Sequence, residues 1–328
     1  MKIKKPIFII LGEPNSIFIE LLSKVLNKNY IKKEINYPII LIGSKDLLKA
    51  QLKILKKKIF FQIIDKNNLN FSKLKKKIYL IDIKYNFKIA FEKISFKSKN
   101  YITKCFKIGL NFVNSGKGNI LINGPISKKF FLPKKYPGIT EYIFDKSRKK
   151  LSKNPVMIIF NKKLSVSPIT THIPLKEVNK KINEKIIVNN VLKIDNFYRK
   201  NLKLKPNIAI FGLNPHCETK SKYNEEQKII LPAIKKLKNQ KINVVGPFSA
   251  DTFFLKKNLI KYNSVVGMYH DQVLTPFKTL FGFDASNITL GLPFLRISPD
   301  HGTNYNMIGK NKSDPQSLIA AIKFLDSR

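Results

Sequence analysis

The chain has 328 residues, 43% of them hydrophobic with 24 Phe, and 62 Lys plus Arg against 21 Asp plus Glu for a formal net charge of +41. That much apolar material excludes a disordered chain, and the length calls for two domains or one large α/β unit. Two isolated cysteines, Cys105 and Cys217, exclude a disulfide framework and a four-cysteine zinc site, and they fit a reducing, cytoplasmic setting.

The first apolar run, Ile7–Leu11, is too short for a signal core and breaks at once into Gly12-Glu13-Pro14, so it reads as a buried first strand. Ile-, Val- and Phe-rich runs follow at Ile39–Ile42, Ile59–Ile64, Ile78–Ile81, Ile120–Ile122, Val156–Phe160, Ile208–Phe211, Val244–Val245 and Val265–Met268. Helix-like stretches lie at Ile17–Leu26, Phe87–Asn114, Glu225–Lys238 and Ser317–Leu325. Strands separated by helices mean βαβ units and mainly parallel sheet, and so many strands favour two domains. No apolar run approaches membrane-spanning length, so no membrane partner is expected.

The charge invites a nucleic-acid reading, but its distribution opposes one. The net is +25 over residues 1–150, +13 over 151–250 and +3 over 251–328. Only four basic residues are Arg and 58 are Lys, scattered among Ile and Asn, whereas phosphate and base readout favour the Arg fork. The excess reads as compositional drift, and a basic nucleic-acid-binding protein stands as the alternative from another class.

Three of the four histidines follow an apolar strand: His172 after Ile169-Thr170-Thr171, His216 after Ile210 through Pro215, and His270 after Val265 through Tyr269. Ligands of open α/β sheets bind outside the carboxyl ends of the strands, where these residues fall. Three imidazoles with an open position make a catalytic metal arrangement. Spacings of 44 and 54 residues match no local metal motif, so three ordinary loop histidines remain the other reading.

In the segment with little excess charge, Lys278 and Arg296 stand out. A point charge beside a bidentate fork suits an anionic ligand, while a solvated lysine and a paired arginine are the plainer account. Asn123-Gly124-Pro125-Ile126-Ser127-Lys128 can set a hydroxyl and an ammonium at a strand end or form an ordinary loop. There is no Walker loop, no Gly-Xaa-Ser-Xaa-Gly elbow and no dinucleotide fingerprint.

Taken together, Gly12-Glu13-Pro14, Gly124 through Lys128, Thr170-Thr171-His172, Gly212 through His216, Ala250-Asp251-Thr252, Met268 through Gln272, Asn287 through Arg296 and Asp300 through Thr303 resemble the 4-hydroxythreonine-4-phosphate dehydrogenase family. The resemblance spans essentially the whole chain. It implies an isocitrate/isopropylmalate dehydrogenase-like fold of two α/β/α domains, with mainly parallel sheets and a cleft between them. Residues 1–124 and 278–328 would form the domain with the cofactor loop, and 125–277 the domain with the metal ligands and dimer interface.

By this resemblance His172, His216 and His270 hold one divalent ion (zinc, magnesium or cobalt), and Thr140, Lys278, Asn287 and Arg296 contact a small phosphorylated substrate. His301, Gly302, Thr303 and Asn306 lie in a loop for NAD or NADP. The implied reaction, in pyridoxal 5'-phosphate biosynthesis, oxidises 4-phosphooxy-threonine to a β-keto acid that decarboxylates to 3-amino-2-oxopropyl phosphate. The implied assembly is a cytoplasmic homodimer whose active site is shared across the interface. A bound cation would stabilise the alkoxide from which hydride leaves. Lys128, Asp251 and Asp271 are the candidates for the proton acceptor.

The chain departs from the family pattern at Ile139, where a histidine usually precedes Thr140-Glu141. It also departs at Asn15 through Phe18, at Cys217-Glu218-Thr219, and at Asn306 in place of an acidic residue. Ile139 keeps open a paralogue acting on threonate or erythronate 4-phosphate.

Overall fold

Near-continuous apolar runs become buried parallel strands because helices cover both faces of such sheets. The computed structural model describes residues 5–27, 37–147, 154–218, 224–299 and 302–326. In chain order the strands are β1 (Ile7–Ile10), β2 (Ile39–Gly43), β3 (Gln62–Ile63), β4 (Ile78–Asp82), β5 (Ile120–Asn123), β6 (Val156–Phe160), β7 (Ser165–Thr170), β8 (Ile208–Phe211), β9 (Val244–Phe248), β10 (Ser264–Tyr269), β11 (Ser286–Leu290) and β12 (Leu295–Pro299). The longer helices are α1 (Phe18–Leu26), α2 (Lys45–Ile54), α3 (Lys99–Asn114), α4 (Ile139–Lys146), α5 (Glu184–Phe197), α6 (Leu231–Asn239), α7 (His270–Phe281) and α8 (Gln316–Asp326).

Met1–Pro155 with Leu292–Ser327 forms one compact unit, and Val156–Gly291 another. These changeovers differ from the expected 124/125 and 277/278. Residues 125–155 stay with the first unit because Phe131, Tyr142, Ile143 and Phe144 join its core. Residues 278–291 stay with the second because β11 pairs antiparallel with β6.

In the first unit the strand order is β3-β4-β2-β1-β5-β12, and every recorded pair is parallel. The chain leaves β1 toward β2 and later returns to its other side at β5, a topological switch point of the kind that gathers ligands at strand carboxyl ends. Helix α3 buries Ile102, Cys105, Phe106, Leu110 and Val113 along one face, and Phe8 stacks on Phe112 with ring centroids 5.1 Å apart. Each fully buried Ile or Phe contributes about 1.5–3 kcal/mol. Gly109 lets α3 press onto the sheet, since a Cβ there would lie 2.8 Å from Ile10 Cδ1.

In the second unit the order is β11-β6-β7-β10-β8-β9. The β11/β6 and β6/β7 pairs are antiparallel, and β7/β10, β10/β8 and β8/β9 are parallel. Its core gathers Ile159, Val166, Phe211, Phe253, Val265 and Phe277.

Three expected elements change. The helix over Phe87–Asn114 begins as α3 at Lys99, preceded by a 3-10 turn at Phe96–Ser98, because the Glu92 side chain accepts the Lys88 N–H and Asn15 accepts the Glu92 N–H. The run Ile59–Ile64 yields only the two-residue edge strand β3, with Phe60 80% exposed. The stretch Glu225–Lys238 opens as a π-turn at Glu226–Ile230 before α6, where Pro232 at the helix start withholds a donor. Among the described residues no helix is long and apolar enough to cross a membrane.

Candidate active site

In the second unit β7, β10 and β8 are parallel neighbours, so their carboxyl ends form one rim. His172 stands two residues past β7, His270 directly past β10, and His216 five residues past β8. The sheet therefore gathers three histidines that are far apart in sequence. The rings of His172 and His270 have centroids 5.9 Å apart. His172 and His216 are exposed and His270 is half-buried.

Carboxylates flank two of the rings. Nδ1 of His270 lies 2.7 Å from Asp271 Oδ1, and a proton on Nδ1 donated there leaves the lone pair on Nε2. Nδ1 of His216 lies 3.8 Å from Asp251 Oδ2. The Ser249 hydroxyl, which donates to Asp251, holds that carboxyl below its usual value, helped by the Thr252 N–H and by His216. Asp251 is thus an ionised carboxylate at neutral pH, suited to orienting an imidazole.

Side chains also tie the rim together. The Thr170 hydroxyl donates to the Met268 carbonyl, linking β7 to β10. Gln272 accepts the Met268 N–H at 2.7 Å and donates to the Gly212 carbonyl at 2.8 Å, linking β10 to the end of β8. The Glu226 carboxylate, 1% exposed, accepts the Leu213 and Asn214 N–H groups and the Asn214 side-chain amide. Burial pushes Glu226 up, but these donors outweigh it and hold its carboxyl below the usual range. Sequence reading missed Glu226 and Gln272 as site residues, because each serves through backbone that only the fold brings within reach.

In the first unit the loops after β1 and β5 meet. Glycine is required at Gly12, with φ of 74° and space for a Cβ only 2.6 Å from the Pro125 carbonyl oxygen. Glu13 is buried beneath the loop, accepting the Asn15 N–H at 3.2 Å and the Ser98 hydroxyl at 3.0 Å, and burial raises its pKa.

Arg296 lies in β12, 1% exposed. Its Nε donates to Asn123 Oδ1 at 2.9 Å and its NH1 to Thr140 Oγ1 at 3.2 Å. Burial pushes the guanidinium down to about 10, Glu141 opposing, so it stays charged at neutral pH. Thr140 and Arg296 are therefore brought together, and Asn123 and Glu141 join them unforeseen. Ile139, beside Thr140, packs on the unit's apolar core.

The remaining candidates are scattered. Lys278 lies in α7 with its ammonium 5.9 Å from the centre of the Phe283 ring. Asn287 lies in β11, its buried Oδ1 without a hydrogen bond among the described residues. Lys128 is exposed at the first position of the helical turn Lys128–Phe131. Gly302 and Asn306 are exposed and Thr303 half-buried, and His301 lies outside the described residues.

Helix α1 anchors the chain around these loop residues. The Ile17 N–H donates to Thr303, and buried Glu20 accepts the Asn311 and Ser313 N–H groups. Lys24 donates to both of those residues' carbonyls. An apolar hollow of about 490 Å³ lined by Ile39, Ile59, Phe60 and Ile78 lies at the opposite, amino-terminal end of β2 and β4. Because it lies at the amino-terminal end of these strands, away from the carboxyl ends where ligands of open α/β sheets bind, it is set aside.

Three imidazoles with flanking carboxylates form a donor set that suits a borderline divalent cation. As the side chains stand, no three His, Cys, Asp or Glu among the described residues are close enough to share an ion. The exposed loop around Thr303 is the cofactor candidate.

A family model described as pyridoxal phosphate biosynthetic protein PdxA matches residues 34–325. A 4-hydroxythreonine-4-phosphate dehydrogenase from Sulfurihydrogenibium sp. (strain YO3AOP1) is 39% identical over 96% of this chain and 95% of its own. One from Aquifex aeolicus (strain VF5) is 33% identical over 98% of each. The crystal structure of a 4-hydroxythreonine-4-phosphate dehydrogenase from Klebsiella pneumoniae, 24% identical, covers 99% of this chain and 100% of that one with a TM-score of 0.80, and so shares its fold.

Proposed function

Because the chain belongs to the pyridoxal phosphate biosynthetic PdxA family, we propose that it is a 4-hydroxythreonine-4-phosphate dehydrogenase whose oxidised product decarboxylates to 3-amino-2-oxopropyl phosphate. The observation that carries this reading is the gathering of His172, His216 and His270 at one rim of parallel strands. These residues would hold a zinc, magnesium or cobalt ion. Such an ion would supply acidification of the substrate alcohol, and a bound nicotinamide of NAD or NADP would supply the hydride acceptor.

The chain's own residues have separable tasks. Arg296, fixed by Asn123 and Thr140, presents a buried charged fork to an anionic substrate group. Lys278 adds a point charge, and the orphaned Asn287 Oδ1 supplies an acceptor. Asp271 and Asp251 orient His270 and His216, which leaves Lys128 as the candidate for the substrate proton. Gly302, Thr303 and Asn306, with His301, would receive the cofactor on a loop braced by Glu20 and Lys24. The implied assembly is a cytoplasmic homodimer with its active site completed by the second copy.

A second reading, oxidation of threonate or erythronate 4-phosphate, is favoured by one observation: Ile139 faces the apolar core beside Thr140, where the family pattern has a histidine. Assays with each substrate, cofactor and metal separate the two. NADH from 4-hydroxythreonine 4-phosphate is expected. Turnover of the sugar acids alone overturns the first reading for the second.

A further inference from the structure

The loop after β12 leaves the carboxyl end of that strand, where ligands of open α/β sheets bind, and α1 holds it at both ends. At one end the Thr303 carbonyl accepts the Ile17 N–H at 3.3 Å. At the other, the Asn311 and Ser313 N–H groups donate to buried Glu20 at 3.1 and 2.6 Å. Between these ends Asn304, Tyr305, Asn306 and Lys310 are exposed. Amides for hydrogen bonds and an aromatic face for a purine suit the adenosine half of a dinucleotide.

The charge of this loop is one-sided. From Gly302 to Ser313 there is no Asp or Glu, while Lys310 and Lys312 are both exposed. Neither lysine has an ion pair among the described residues. Two acids that touch the loop's far end are already engaged. Glu20, 2% exposed, takes the two loop N–H groups and the Lys24 ammonium, and Asp314 accepts the Gln316 N–H at the start of α8. Asp300, next in sequence after β12, lies outside the described residues. The two nicotinamide dinucleotides differ only by a phosphate on the adenosine 2'-oxygen, so the charge around that oxygen decides between them. A carboxylate accepts the 2'-hydroxyl of NAD and repels the phosphate of NADP, whereas a cation favours NADP. A phosphate monoester carries about −1.5 to −2 at pH 7 and accepts charge-assisted hydrogen bonds from lysine.

We infer that Lys310 and Lys312 make this loop selective for the 2'-phosphorylated cofactor, NADP. This rests on the dehydrogenase reading above. NAD, which lacks that phosphate, binds more weakly and is still turned over.

The test titrates NADPH and NADH separately into the full chain, followed by the fluorescence of the reduced nicotinamide. It compares the native protein with the double variants Lys310→Gln/Lys312→Gln and Lys310→Glu/Lys312→Glu. Charge-assisted hydrogen bonds to the 2'-phosphate should make NADPH tighter than NADH by about 10–100-fold in the native protein. The glutamine pair should weaken NADPH to near the NADH level and leave NADH within about twofold of native. The glutamate pair should make NADH the tighter ligand. Because both side chains are exposed, all three proteins should melt within a few degrees of one another. A native gap below about tenfold overturns the preference and leaves the dehydrogenase reading standing. A larger gap that persists in the glutamine pair overturns the assignment to these lysines. A native protein that binds neither dinucleotide removes the cofactor reading and this inference with it.

Discussion

The two units prepare for ligands in opposite ways. In the first, the central group is a guanidinium 1% exposed in a β-strand, held through Nε by Asn123 and through NH1 by Thr140. In the second, the central groups are exposed or half-buried imidazoles on loops and at the start of α7, and what is buried is the scaffold beneath them, Glu226 above all. A permanent charge that recognises an anion gains from burial, because low dielectric strengthens it and rigid partners fix its direction. Imidazoles proposed to hold a cation would instead need accessible lone pairs, and their order would come from the backbone that carries them.

The strongest way to break this comparison is His270→Ala. It should abolish stoichiometric metal binding and lower kcat/KM on the order of 10³-fold, since a Lewis acid supplies several kcal/mol to the transition state. Metal analysis beside steady-state kinetics checks it, and retained metal would contradict the role of the rim.

Next comes Arg296→Lys. A lysine keeps the charge but cannot donate to Asn123 and Thr140 while offering a fork outward. Activity should fall about 10–100-fold and stability by about 1–3 kcal/mol, measured by kinetics and denaturant unfolding. Metal content should not change, which separates the two regions.

The smallest effect concerns pH. With its folded pKa held below the usual carboxylate value, Glu226 takes up a proton in the unfolded chain before it does so in the folded one. Its contribution is therefore complete above that usual value and is lost as pH falls through the folded one. Melting temperature should decline from about pH 5 downward, and Glu226→Gln should flatten that acid limb. Arg296, pushed down only to about 10, should leave the limb untouched when replaced by lysine.

Much of this was legible in the sequence. The apolar runs at Ile7, Ile39, Ile78, Ile120, Ile208 and Val265 mark strands because both faces of a covered parallel strand must be apolar, and nothing distant is needed to read them. The same local logic placed His172, His216 and His270 just past strand ends, and singled out Arg296 from the lysine background. It failed where the decisive partner is remote. Asn15 and Glu92 break the expected helix from 77 residues apart.

The sequence by itself thus determined the element types, the residues available for chemistry and their place at strand ends, since periodicity and turn chemistry are local. Only the tertiary structure decided that β7, β10 and β8 are neighbours, that Arg296 is buried against Asn123 and Thr140, and that Glu226 and Gln272 hold the turn before His216. Strand adjacency is set by long-range pairing and crossover connections, and a buried polar group acquires its role from whichever backbone groups the fold brings within about 3 Å.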